Sequence, residues 1–404
     1  MDNKPFYHDE SIPLCLAPWH ALTVNWNGNI KPDVHAKMVL GNIKEDSLDD
    51  IYNSDKFQRL TKSMINREWP KGCQRCKDKE KISGRSRRTY FWDTLPLNMR
   101  TNISFKNKLS YLDINTSNKC NLKCIHCNGE VSTSWIPDEK KLNRNHVNLD
   151  EVKYQRLTEE DIDRLFDCDA IKEIDTIALR GGEPLDEPLN LYIINKLEQL
   201  GIINNVVLDI STNLTILNDN ILNLFSKFRR VLLYISLEGV YERYEYIRGG
   251  KNFTFADLEN NIKIIKQLSN VEICYAFTIM NLNITTLPEI CNWLVAQDLS
   301  NIQLSFSNVV VRPDYLKPDI IPNSLKSKTL ERLSKQDIPI ELVWPANSVD
   351  IGAGGKYETG LSGVINILKK DTENPRLIDQ LKQYLTNLDK LRNTNWKQTF
   401  PEFI

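Results

Sequence analysis

The sequence predicts an α/β protein whose main part is built on a parallel β-sheet and is preceded by a smaller unit. After about residue 109, short runs rich in β-branched residues alternate with stretches whose apolar residues recur at helical spacing. Repeated strand–helix units imply parallel strands joined by right-handed crossovers, and such a sheet binds its ligands where the strands end. The six predicted strands are residues 111–115, 174–180, 206–211, 231–237, 271–279 and 302–306.

Composition and charge exclude several classes of protein. The 404 residues exceed one ordinary domain, and 52 basic against 53 acidic residues give a net charge of -1, so no overall field attracts nucleic acid or an anionic membrane. No apolar run reaches the about 18 residues of a spanning helix, and the first ten residues lack the apolar core of a secretory signal. We therefore expect a cytoplasmic protein with no membrane partner, whose nine cysteines are reduced.

Turn and cap signals predict the elements of the small N-terminal domain. The Asn27-Gly28 pair lies between two runs of alternating apolar and polar residues, which is typical of a β-hairpin. Ser47 is followed three residues later by Asp50, as at a helix start, and apolar residues then recur up to about Asn66. The hairpin and the helix together predict a separate folding unit.

A strongly basic stretch follows this unit. Between residues 71 and 108 there are eleven Lys or Arg and three Asp or Glu. The favoured interpretation is a solvated connector, and the alternative is a surface that binds nucleic acid or a phosphorylated substrate. The predicted domains are residues 1–85, a basic connector at 86–108, the sheet domain at 109–310 and a helical C-terminal extension at 311–404.

Three cysteines follow the first predicted strand of the sheet domain, in the string CNLKCIHC: Cys120, Cys124 and Cys127. On a helix they would share one face, which would make them a buried thiol stripe. A structural zinc site needs four ligands, and the neighbouring His126 is awkwardly placed to be the fourth. Three thiolates suit a four-iron cluster better, because one iron is then left open for another molecule.

The C-x3-C-x2-C spacing after a first strand resembles the radical S-adenosylmethionine (radical SAM) superfamily. Motifs at the ends of the later strands agree with this resemblance, which implies a partial (β/α)6 TIM-like barrel. These motifs are Gly181-Gly182-Glu183 after the second strand, Ser211 and Asn213 at the third, Ser236 and Glu238 at the fourth, and Arg248 further on.

The resemblance also implies what these residues do. The three cysteines would hold a [4Fe-4S] cluster, and the glycine-rich backbone would approach the methionine amino group of S-adenosylmethionine. The fourth motif would meet the ribose hydroxyls, with Glu238 where Asp is more familiar, and Arg248 would pair with the methionine carboxylate. The sequence leaves the residues that act directly on the substrate unknown.

An enzyme of this family passes an electron from the reduced cluster to the sulfonium, and the resulting 5'-deoxyadenosyl radical abstracts hydrogen from a substrate C–H bond. The resemblance therefore implies a reductant such as flavodoxin or ferredoxin. It also implies a peptide or small-molecule substrate, with a nucleotide, sugar or RNA as the alternative. An alternative of another class is a zinc-stapled protein that binds nucleic acid.

The N-terminal cysteines Cys15, Cys73 and Cys76 resemble those of twitch or SPASM modules, which hold an auxiliary iron-sulfur cluster. Where related modules have a cysteine pair, this chain has Asp33, Val34 and His35. The fourth ligand is thus Asp33 or His35, or one iron is open to substrate. Zinc, or no metal at all, is the alternative for this group.

Overall fold

The computed structural model describes residues 14–83, 86–94, 107–142, 144, 146–250, 252–297, 302–335 and 360–404. They form two compact units. Unit 1 comprises the described parts of Met1–Ser117, Gln155–Ile210 and Asn223–Leu232, and unit 2 those of Asn118–Tyr154, Ser211–Leu222 and Leu233–Ile404. None of the described helices combines the length and the apolar character needed to cross a membrane.

Nine strands form one sheet, in the order β3-β2-β1-β4-β5-β6-β7-β8-β9. The pairs β1/β4, β4/β5, β5/β6 and β8/β9 are parallel, and the pairs β1/β2 and β2/β3 are antiparallel. The strands are β1 Ala21–Val24, β2 Asn29–Lys31, β3 Gly41–Asn42, β4 Tyr111–Asn115, β5 Thr176–Arg180, β6 Val207–Thr212, β7 Arg230–Ser236, β8 Val271–Ile279 and β9 Ile302–Val309.

The predicted fold class is confirmed, because strands β4 to β9 fall on the six predicted runs and helices follow them along the chain. The helices are α1 Ala17–His20, α2 Leu48–Asn53, α3 Asp55–Ile65, α4 Gln74–Ser83, α5 Arg87–Thr94, α6 Ile136–Leu142, α7 Glu159–Phe166, α8 Pro188–Gln199, α9 Asp219–Ser226, α10 Tyr241–Arg248, α11 Phe255–Ile265, α12 Asn281–Ile284, α13 Leu287–Val295, α14 Asn323–Leu333, α15 Gly360–Leu368, α16 Pro375–Arg392 and α17 Trp396–Thr399.

The N-terminal hairpin forms as predicted and also extends the parallel sheet. Strand β1 pairs with β4 in parallel, with Leu22 beside Leu112 and Val24 beside Ile114. All four residues of β1 are buried, as expected for a strand with both faces covered. The first strand of the N-terminal segment therefore lies within the sheet, between β2 and β4.

The helical run after Ser47 is divided into two helices. Ser47 and Asp50 form the predicted capping box, but a second cap, the Ser54 side chain, accepts a hydrogen bond from the Phe57 N–H. Ser54 has an extended backbone, with ψ at 149°. A serine in this conformation ends α2 and starts α3, so the apolar pattern continues while the helix does not.

Candidate metal centres

The loop after β4 carries the cysteine triplet on a backbone fixed by hydrogen bonds. The Trp135 indole donates to the Cys124 carbonyl at 3.0 Å, and the Ser134 hydroxyl donates to the Cys120 carbonyl at 2.7 Å. The Cys127 N–H donates to the Cys124 carbonyl at 3.0 Å. The loop is therefore preorganised by residues that lie after the triplet in the chain.

Two of the three thiols lie close together. The donor atoms of Cys124, His126 and Cys127 are all within 4.8 Å of one another, whereas Cys120 is outside this group. The ligands of a single metal ion all lie close to one another, whereas the thiolates of a four-iron cluster each bind a different iron and lie further apart. A hydrogen bond from Cys127 lowers the pKa of the buried Cys124 thiol. The same hydrogen bond raises the pKa of Cys127, and burial raises it further. The arrangement fits a cluster better than zinc.

Arg248 lies at the end of α10 and is 5% exposed. Burial disfavours its charged form, but the negative charges of Cys124 and Glu238 outweigh that effect and keep its pKa well above the ordinary value. Its Nη1 donates to Glu238 Oε2 at 2.8 Å, while Nε is buried and has no hydrogen-bond partner in the described chain. An orphaned guanidinium N–H near thiolates fits an anionic cluster or carboxylate ligand.

The ends of β6 and β7 supply other predicted residues of unit 2. The Asn213 side-chain amide donates to Asn121 Oδ1 at 2.9 Å, next to Cys120 in the chain. The third strand end is thus tied to the cysteine loop. Ser211 and Ser236 are half-buried at the strand ends.

The glycine motif lies in unit 1 and depends on the absence of side chains. Gly181 has φ at 145°, and a Cβ there would lie 2.5 Å from the Ser117 carbonyl oxygen. The Gly182 N–H donates to that same carbonyl at 3.0 Å. The buried Glu183 carboxylate accepts a hydrogen bond from the Leu185 N–H, so it shapes the turn.

Gly181→Ala is expected to destabilise the protein by about 1–3 kcal/mol, because it combines a strained φ with a clash against backbone. Gly201→Ala is the matched control: its φ is 69°, but nothing lies within 4 Å of a Cβ there. The Gly201→Ala substitution should lower the free energy of unfolding by about 1 kcal/mol. Chemical unfolding of both variants checks the difference, and equal losses would contradict the clash.

The N-terminal cysteines form a second centre in unit 1. One cavity is lined by Cys15, Cys73, Cys76, Asp33 and His35. Burial raises the pKa of all three thiols, that of Cys73 to about 12. The second cause is the negative charge of Cys76 for Cys15 and Cys73, and that of Asp33 for Cys76. Free thiols here stay protonated, and a metal that binds them must release protons.

Both carboxylate oxygens of Asp33 are already engaged. Oδ1 accepts the His35 backbone N–H at 2.9 Å, and Oδ2 accepts Nε of Arg87 at 3.0 Å. Burial opposes ionisation of Asp33, yet Arg87 and His35 prevail and its pKa is lowered. Ligation by Asp33 would have to compete with the Arg87 ion pair.

Residues 114–294 match the family model of the radical SAM superfamily, and residues 15–77 match that of an iron-sulfur cluster-binding (SPASM) domain. The chain therefore contains a radical SAM domain and an iron-sulfur cluster-binding domain. The second match confirms the predicted auxiliary module at the N-terminal end of the barrel domain. None of the curated proteins compared with the chain matches it.

Several solved structures are similar to this chain at low identity. Native anSMEcpe with bound AdoMet is 19% identical with a TM-score of 0.40, and the match covers 60% of this chain and 63% of that one. Streptococcus suis SuiB bound to S-adenosylmethionine is 12% identical with a TM-score of 0.35, covering 76% of this chain and 63% of that one. The chain thus spans less than two thirds of the length of these proteins.

The predicted cofactors are confirmed by the two family matches: iron-sulfur clusters and S-adenosylmethionine. The ligand assigned to each residue stays a prediction. The matches also favour a radical SAM protein over a zinc-stapled, nucleic-acid-binding one.

A C-terminal contact that the sequence did not reveal supports the cysteine loop. Arg392, at the end of α16, donates to the carbonyls of Tyr246 and Lys123, the former at 2.9 Å. Its guanidinium lies 5.0 Å from the Trp135 ring. These partners are far apart in sequence, and the only local signal was a basic residue in the last turn of a helix.

Proposed function

We propose that this protein is a radical SAM enzyme that cleaves S-adenosylmethionine reductively and abstracts hydrogen from a substrate C–H bond. The observation that carries the proposal is the thiol triplet on a preorganised loop with a buried, incompletely paired Arg248 beside it. When bound, the reduced cluster supplies an electron to the sulfonium, and the cleaved S-adenosylmethionine supplies the radical that abstracts hydrogen.

The residues of the chain have binding and shielding roles in this proposal. Cys120, Cys124 and Cys127 hold the [4Fe-4S] cluster as thiolates. Arg248 stabilises their negative charge, and its free Nε is available to the methionine carboxylate. Trp135 has no exposed surface and covers the loop, which keeps water from the thiolates.

The remaining predicted cofactor residues are proposed to bind S-adenosylmethionine itself. The glycine motif Gly181-Gly182 presents backbone that no side chain blocks, and Glu183 shapes the turn that follows it. Asn213 ties the third strand end to the cysteine loop, and Glu238 would meet the ribose hydroxyls. Ser211 and Ser236 complete the set at the ends of β6 and β7.

The second centre is proposed to hold an auxiliary iron-sulfur cluster on Cys15, Cys73 and Cys76. It would accept the electron left on the substrate after hydrogen abstraction. Of the two candidates for the fourth ligand, His35 is better placed, because the Asp33 oxygens are held by Arg87 and by the His35 N–H. Flavodoxin or ferredoxin is the proposed reductant of the first cluster.

A peptide is the favoured substrate class. The basic stretch at 71–108 was the main argument for a nucleotide, a phosphorylated sugar or RNA, but two of its arginines are engaged in ion pairs with acids. Arg87 pairs with Asp33 at 3.0 Å, and the buried Arg88 pairs with the buried Glu80 at 2.5 Å. Neither guanidinium therefore contributes to a cationic surface that could bind phosphate groups.

Formation of 5'-deoxyadenosine tests the proposal. Protein reconstituted anaerobically with iron and sulfide is incubated with S-adenosylmethionine and dithionite, and the product is quantified by mass spectrometry. Product above that of a cluster-free sample is expected. Fully loaded protein that leaves S-adenosylmethionine intact would overturn the proposed function.

A further inference from the structure

In unit 1, strands β4 to β6 present a buried polar face. Their register places Asp113 beside Ala178 and Ala178 beside Asp209, so these side chains share one face of the sheet. On that face, Arg180 Nη2 donates to Asp209 Oδ1 at 2.7 Å, and the Tyr111 hydroxyl donates to Asp209 Oδ2 at 3.0 Å. Asp209 is therefore satisfied at both oxygens.

Asp113 differs from Asp209 in having an unsatisfied oxygen. It is 4% exposed, and its Oδ1 is buried without a hydrogen-bond donor in the described chain. A buried carboxylate oxygen without a donor is costly and uncommon in native proteins. The position therefore calls for a donor from outside the described part of the chain.

Among the described residues, each cation that faces Asp113 is paired with another acid. Arg180 on β5 and Arg87 on α5 face it, but they are paired with Asp209 and Asp33 respectively. Burial first, and then repulsion from these two acids, raises the pKa of Asp113 to about 6 despite the arginines. Within the described chain, two guanidinium groups thus face three carboxyl groups.

The polar face also adjoins the second metal centre. The Arg87 guanidinium lies 4.9 Å from the Phe91 ring and 5.7 Å from the Tyr111 ring. Arg87 and Phe91 line the cavity of Cys15 and its neighbours. A substrate held at Asp113 would therefore lie near a cluster able to take up its electron.

We propose that Asp113 binds the substrate through a protonated nitrogen, so that the substrate carries a basic amine or guanidinium. A lysine or arginine side chain of a peptide has this chemistry. The reactive role rests on the proposed function, whereas the binding of the cation does not.

The test compares two probes of the same size on the reconstituted wild-type protein. N-acetyl-lysine methylamide carries the cation, and N-acetyl-norleucine methylamide lacks it. At pH 8, calorimetric titration should show the lysine probe binding about tenfold more tightly or better, since a charge-assisted hydrogen bond is gained. Butylamine as a third probe separates a free amine from a peptide as the source of the cation, and either source supports the site.

Asp113→Asn should remove the preference for the lysine probe. Asp169→Asn is the matched control, because that side chain is 95% exposed in the same unit, and it should keep the preference. If Asp113→Asn does not fold, the wild-type protein still decides the matter. Its preference should decline as the pH falls through about 6, where Asp113 takes up a proton and loses its charge.

Equal binding of the lysine and norleucine probes to the wild-type protein would overturn the inference, as would an Asp113→Asn variant that keeps the preference. Both results would mean that water satisfies Oδ1. Formation of 5'-deoxyadenosine without any lysine preference refutes the substrate inference alone. A lysine preference without 5'-deoxyadenosine refutes the enzymatic proposal alone.

Discussion

Cys124→Ala is expected to abolish 5'-deoxyadenosine formation and to lower the iron content by about four atoms per chain. The thiol of Cys124 is the most buried of the triplet, and its pKa is lowered, so it is poised to ligate as a thiolate. Loss of one ligand from an already incomplete set should release the whole cluster. Iron and sulfide analysis together with product formation checks this.

Cys168→Ala is the matched control for the triplet. Cys168 is half-buried and belongs to neither cysteine group, so its removal should leave the iron content and the product unchanged. A Cys124→Ala protein with wild-type iron and product would show that the triplet is misassigned.

Cys73→Ala is expected to remove the iron of the second centre, again about four atoms per chain, and to lower the stability of the N-terminal segment. In the metal-free state burial keeps these thiols protonated, and a bound cluster would hold them as thiolates and link the segments that carry them. Iron analysis and thermal unfolding of the reconstituted variant, compared with Cys168→Ala, measure both effects. Wild-type iron in Cys73→Ala would exclude a cluster at this centre.

Local patterns were sufficient for much of the fold and for the cysteine groups. Strand β8 has the predicted bounds, 271–279, because a run of β-branched and aromatic residues is a strong local signal. The triplet was readable because three thiols within eight residues, directly after a strand, are chemically unusual. In both cases the information lies within a short window of sequence.

Contacts between distant residues were not predictable in this way. The parallel pairing of β1 with β4 joins residues about ninety positions apart, and no periodicity within either strand encodes it. Arg87 was one of many charges in a basic run, and only the structure shows its ion pair with Asp33. Asp113 lies between the apolar residues Leu112 and Ile114, a signal that points to an unusual site but does not identify what binds there.

The most direct measurement of the central claim is electron paramagnetic resonance of the reduced, reconstituted Cys73→Ala protein, with and without S-adenosylmethionine. Only the cluster on Cys120, Cys124 and Cys127 should contribute to the spectrum. A shift of the g values on addition of S-adenosylmethionine is predicted, because the cofactor would bind the iron that lacks a thiolate. An identical spectrum with saturating S-adenosylmethionine would contradict the account.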